Sequence, residues 1–143
     1  MKKLAIFFLV IIIIIVGMSY MYMNYKANYY SNQKANYQFS SYYNKEFKGN
    51  EIATLINKAY DNNLSSNVEK DKKGKFIDNN NNSIKIDIKM LDIDKIYDME
   101  TLNSGGIDKF VQYYGQITFK CTKIDYHNST GKVKYMFIEQ ITQ

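Results

Sequence analysis

The chain has 143 residues, room for one modest domain, with 19 basic residues that are all Lys, a single Cys, a single His and no Arg, Pro or Trp. The net charge of +5 is uneven: residues 1–48 hold six Lys against one acid, Glu46, whereas Lys and acids balance over residues 49–143. A neutral, Arg-free folded region argues against a nucleic-acid partner, one His and one Cys exclude a zinc cluster, and Cys121 has no intrachain disulfide partner.

Abundant Asn, Ile, Lys and Tyr suit an AT-rich genome such as that of a low-GC Gram-positive bacterium (Firmicutes). After Lys2 and Lys3, the run Leu4–Met18 is uncharged and includes five consecutive Ile. The uncharged stretch continues to Tyr25, long enough to cross a bilayer, with Tyr20 and Tyr22 where an interfacial aromatic belt is expected. Residues 1–23 therefore read as a transmembrane anchor. A cleaved signal peptide is the rival reading, with Gly17-x-Ser19 as a small-residue cleavage site. Lys2 and Lys3 predict a cytoplasmic N-terminus, with the rest of the chain outside the cytoplasm.

Residues 24–47 divide into tetrads, with Asn at 24, 28, 32, 36 and 44 and a fourth column of Ala27, Ser31, Ala35, Phe39, Tyr43 and Phe47. Side chains four apart are neighbours on a helix, so residues 24–48 are expected to form a helical stalk with a weakly apolar ridge. A four-residue repeat drifts around the helix and offers no straight coiled-coil seam. A solvated, partly frayed spacer is the alternative, because Asn is a poor helix former.

Gly49 is expected to break the stalk, with Asn50 as the N-cap of a helix over 51–61. Ile52, Leu55, Ile56 and Ala59 give that helix one apolar face, and Asn62-Asn63 can close it. Asp71–Gly74 and Asn79–Asn82 read as turns flanking a short strand at Lys75–Asp78. Ile84, Ile86, Ile88 and Met90 alternate with Lys85, Asp87 and Lys89, the clearest strand pattern in the chain. Residues 93–100 are ambiguous and suit a further strand. Ser104-Gly105-Gly106 leads into Ile107, Phe110, Val111 and Tyr114, a short second helix closed by Gly115. Ile117, Phe119 and Cys121, then a turn at Asn128–Gly131, then Val133, Tyr135 and Phe137 read as a hairpin. The predicted class is α+β: an N-terminal transmembrane helix continuing into a stalk, then a small antiparallel sheet with two helices over residues 49–143.

No residue qualifies as catalytic, cofactor-binding or metal-binding, and no cofactor is implied. Glu69, Asp71 and Gly74 match positions 1, 3 and 6 of a calcium loop, but Lys73 and Asn80 stand where ligands are needed. Asp92 and Asp94, in an acidic run from Asp87 to Asp98, would share a strand face and a cation, or else form a solvated face balanced by Lys85, Lys89 and Lys95. His127 with Asp125 lacks a supporting nucleophile and is expected at the surface beside the turn. Cys121 is expected to be a buried, inert thiol. Asn63, Asn81 and Asn128 begin Asn-x-Ser/Thr triplets, which matter only in a eukaryotic secretory pathway.

The segment Gly49–Asn63 resembles a helix in small membrane-anchored proteins of clostridia and related Firmicutes, which share the layout of one span, a G-x-x-[IV]-x-[ST]-L-I-N-type helix and a small sheet. The Tyr126–Gly131 turn is similar in the same group. The layout also resembles that of type IV pilins and pseudopilins, although the prepilin processing site and the Glu that follows it are missing here. The sequence thus implies a non-enzymatic binding or assembly subunit at the cell surface. Its expected partners are the lipid bilayer and a protein or a second copy held through the anchor and stalk. The alternatives are a pilin-like subunit and a small cation-dependent enzyme.

Overall fold

The computed structural model describes residues 2–141. Contacts within the chain divide it into two units, with the boundary after Lys34. The first helix, α1 (Lys2–Ser40), has no buried residue within the first unit. None of its apolar run is buried, and among the described residues it is the one helix long and apolar enough to cross a membrane.

The second unit is α+β. In chain order it contains the last turns of α1, β1 (Glu46–Lys48), α2 (Gly49–Ser65), β2 (Lys85–Met90), β3 (Lys95–Asp98), α3 (Met99–Tyr114), β4 (Thr118–Tyr126) and β5 (Val133–Gln140). The five strands form one sheet in the order β1-β4-β5-β2-β3. Three pairings are antiparallel, but β2 and β5 run parallel, with Ile86 beside Met136 and Ile88 beside Ile138. The sheet is therefore mixed: it is largely antiparallel, as the short turns predict, and the β2–β5 pair is the exception. The reason is that β5 does not stop at its hairpin partner β4. It also fills the place beside β2, which is joined to it only through β3, α3 and β4.

The expected helical stalk ends early. α1 stops at Ser40, and Glu46–Lys48 pairs with Thr118–Lys120 as an edge strand. Phe39 and Phe47, assigned from the tetrads to the apolar ridge, are both core residues. Asn36 explains the docking of the helix end. Its amide donates to the Gly131 carbonyl at 2.7 Å and accepts from the Val133 N–H at 2.8 Å, so the side chain pairs with the backbone as a strand would.

α2 begins at Gly49 rather than after Asn50, because its first N–H groups already have partners. Gly49 N–H reaches the Ile117 carbonyl at 3.0 Å and Asn50 N–H the Gly115 carbonyl at 3.1 Å. This approach requires glycine: a Cβ on Gly49 would lie 2.0 Å from the Tyr114 carbonyl oxygen. The expected apolar face is observed, with Ile52, Leu55, Ile56 and Ala59 fully buried. The helix runs past Asn62-Asn63 to Ser65. Asn63 is 0% exposed and grips the entry to β2, donating to the Ile84 carbonyl and accepting from the Ile84 N–H, both at 2.8 Å.

The expected strand at Lys75–Asp78 is reduced to one bridge, Lys70 with Phe76. Asp71 Oδ1 accepts from Lys73 and Lys75 N–H, and so closes the predicted turn with Gly74 at φ +80°. Residues 95–98 do form a strand, and Asp98 then caps α3 by accepting from Thr101 N–H at 2.7 Å. The expected helix from Ile107 to Tyr114, closed by Gly115, is present, but a further helical segment that starts at Met99 precedes it and meets it at a kink at Gly106 (φ +95°, ψ +102°). Ile86, Ile88 and Met90 of β2 face the core as expected. In β5 the inward residues are Val133, Met136, Ile138 and Gln140, not Tyr135 and Phe137. Irregularities in the β4–β5 register change the phase that simple alternation assumes.

Candidate functional site

A cleft of about 290 Å³ opens where the starts of β2 and β5 meet the loop before β2, with walls that include Phe76, Asp78, Asp87, Glu100, Lys134 and Tyr135. The alternation of β2 puts Asp87 on the face away from the helices, and its pairing partner Phe137 follows two residues after Tyr135. The Tyr135 hydroxyl donates to Asp87 at 3.1 Å, and Lys85 lies 3.5 Å from the same carboxylate oxygen. Burial first, and then the Asp87 charge, push the Tyr135 phenol well above its ordinary range, so it stays protonated as a donor.

Asp78 is equally committed. Lys134 approaches it at 2.7 Å, and the Ser83 hydroxyl donates to it at 2.9 Å. Burial raises this carboxyl, but those two bonds, with the Lys134 and His127 charges, outweigh burial and leave it below the usual carboxylate range. Glu100 accepts from Phe76 N–H at 3.3 Å, and Asp125 pairs with Lys123 at 2.9 Å. Every carboxylate of the cleft therefore already has a donor.

The structure brings together Asp78, Ser83 and His127, which sequence spacing keeps apart. They are not wired as a hydrolytic triad. His127 Nε2 lies 2.7 Å from the Ser83 carbonyl, not its hydroxyl; since a carbonyl only accepts, Nε2 carries the proton. The Ser83 hydroxyl is spent on Asp78. His127 is 3% exposed, a correction to its expected surface position, and it does not pair with Asp125. Its role is visible in its surroundings: Ser129 Oγ bonds the Asn80 carbonyl and Thr130 Oγ1 the Asn81 carbonyl at 2.6 Å, so the β4–β5 turn is tied to the 79–84 loop.

Asp92 and Asp94 lie in the β2–β3 turn, not on one strand face. Asp92 accepts from the Tyr114 hydroxyl at 3.0 Å, and Asp94 has φ +43° and lies 3.9 Å from Lys89. Asp87 and Asp98 do face each other across β2 and β3, but Asp98 is bonded to Lys75 and Thr101. Asp71, from the calcium-loop match, is used by its own turn. Among the described residues no group of three or more His, Cys, Asp or Glu is placed to hold a metal ion. Cys121 is buried with its thiol pushed up to about 11 by desolvation, as expected of an inert thiol.

A second depression, about 270 Å³, is apolar and lies between β3 and α3, with walls that include Met90, Tyr97, Leu102, Phe110 and Tyr113. The sequence had no signal for it beyond the Gly105-Gly106 pair, which thins one wall.

No protein-family model, curated protein or solved structure matches the chain. The functional reading therefore rests on the geometry alone. The polar cleft can orient a small ligand by hydrogen bonds, and its Ser83 hydroxyl is directed at the Asp78 carboxylate rather than at a base.

Proposed function

We propose that the chain is a membrane-anchored, extracytoplasmic binding or assembly subunit, held by a single N-terminal span whose Lys2–Lys3 end is cytoplasmic. The observation that carries this reading is the exposed apolar run of α1, which finds no core of its own in the first unit. Twenty or so bare apolar residues in water are untenable, and a bilayer is the solvent that suits their length. The choice of binding over catalysis is supported by the full use of the polar groups in the cleft, each held by a neighbour rather than poised for proton transfer.

Topology is tested by cysteine labelling in intact cells. With Cys121 replaced by Ser, Thr54→Cys on the exposed side of α2 should react with a membrane-impermeant maleimide, and Lys3→Cys only after permeabilisation. Equal protection of both before permeabilisation would refute the extracytoplasmic placement. The mass of the mature chain separates a retained anchor from a cleaved signal: loss of residues up to Ser19 would refute the anchor.

The pilin-like reading has one observation in its favour, that α1 carries both the apolar run and Phe39, a residue of the sheet's core. It predicts multimers joined through α1, visible by crosslinking between Cys residues placed at positions 12 and 16. Monomers at every crosslinker length would dismiss it.

A further inference from the structure

β3 is an edge of the sheet, and no described strand pairs with its outer side. The apolar groove runs beside that edge, between Tyr97 on β3 and Leu102, Lys109, Phe110 and Tyr113 on α3. Tyr113 is 72% exposed and Ile96, on the other face of β3, is 55% exposed. A bare strand edge offers a row of backbone donors and acceptors, which only another extended chain can pair in register. A docked helix would leave them unpaired, since its own backbone groups are consumed internally.

Charge narrows the occupant further. Lys95 on the edge and Lys109 on the groove wall have no carboxylate within ion-pair distance among the described residues. The two acids of the adjoining turn are engaged elsewhere, Asp92 by the Tyr114 hydroxyl and Asp94 by Lys89 at 3.9 Å. A second copy of β3 cannot supply the missing charge. In antiparallel pairing, opposed residues share a face, so Lys95 would meet only odd-numbered positions. Those nearby are Leu91, Ile93, Lys95, Tyr97 and Met99, none of them acidic.

We propose that the β3 edge and the β3–α3 groove take up an extended segment of a partner protein, paired as a sixth strand, with alternate apolar side chains in the groove and a carboxylate meeting Lys109 and Lys95. This deepens the binding-subunit reading and rests on it. The assay is run in micelles and is blind to topology, so its failure is separable from failure of the labelling described above.

The test selects phage-displayed random octapeptides on the full chain in detergent. Enriched peptides should alternate apolar residues with Asp or Glu, and a synthetic winner should slow hydrogen exchange at Lys95–Asp98. N-methylation at alternate backbone nitrogens should abolish its binding. Gly105 is part of the groove wall and a Cβ there meets nothing within 4 Å, so Gly105→Phe adds bulk at the groove with no clash at its Cβ. It should weaken binding about tenfold or more at an unchanged melting temperature. Lys109→Glu should shift the selection toward basic peptides. No enrichment, binding that survives N-methylation or Gly105→Phe, or a dimer that itself protects Lys95–Asp98 would each overturn the proposal.

Discussion

Asn63 offers the sharpest test of how the second unit is held together. Its fully buried amide makes two bonds of 2.8 Å to one residue, Ile84, at the entry to β2. Asn63→Ala strands the N–H and C=O of Ile84, which the amide alone bridges. Each unsatisfied buried group costs about 1–3 kcal/mol, so the variant should lose about 2–5 kcal/mol. For a domain of this size that is a fall of roughly 10–30 °C in melting temperature. Asn63→Asp keeps the acceptor but turns a carboxylate oxygen toward the Ile84 carbonyl, so it should be no milder than Ala at neutral pH. The assay is urea unfolding of the full chain in detergent, followed by tyrosine near-ultraviolet circular dichroism, which reports tertiary packing rather than helix content. A loss below about 0.5 kcal/mol for Asn63→Ala, within the range of an ordinary surface substitution, would refute the pinning role.

Gly49→Ala should destabilise by at least about 1–3 kcal/mol, because the added Cβ meets the backbone at Tyr114, which cannot swing aside; chemical denaturation measures it. Asp98→Ala should cost about 0.5–2 kcal/mol through loss of the α3 cap. Burial raises the Asp98 carboxyl, but Lys75 and Thr101 outweigh it and leave the pKa lowered; its stabilisation is therefore present above the ordinary carboxylate range and lost as pH falls through the depressed value, a loss absent from the Asp98→Ala acid titration. The Cys121 thiol, pushed up to about 11, should resist iodoacetamide at pH 8 in the native state and react freely in urea. Because the folded state disfavours the thiolate, its contribution is intact below the unfolded pKa near 9 and declines as pH rises toward 11, a decline that Cys121→Ser should remove.

Periodicity exposed the elements that bury one face. The apolar run of α1, the Ile52–Ala59 face of α2 and the Ile86–Met90 face of β2 could all be read from the chain, because burial imposes its period on the sequence. What could not be read was decided by partners distant in sequence. β1 has three residues, too few for a period, and exists because Thr118–Lys120 lies beside it. The parallel pairing of β2 with β5 leaves no local mark. The inward phase of β5 depends on irregularities in its pairing with β4. Asn36 and Asn63 each replace a backbone partner, yet in a chain rich in Asn neither differs from its neighbours by type. His127 looked like a surface residue because turns are usually exposed, and its burial depends on the Asn79–Ser83 loop folding over it. The polar cleft was illegible for the same reason: Asp78, Asp87, Glu100 and Tyr135 come from four separate elements and meet only once the sheet is built.

The place of β5 has a consequence for how the protein is made. The last strand in the described chain sits between β4 and β2, so everything synthesised before it remains as separate pairs, β1 with β4 and β2 with β3. A chain emerging from the ribosome or through a membrane channel cannot close its core until Val133–Gln140 has arrived. Closure must then bring β2 and β5 together across the whole of β3, α3 and β4, a non-local step of the slow kind. The arrangement acts as a length check. A chain cut short anywhere before Val133 has no central strand and leaves Ile86 and Ile88 bare along an open edge.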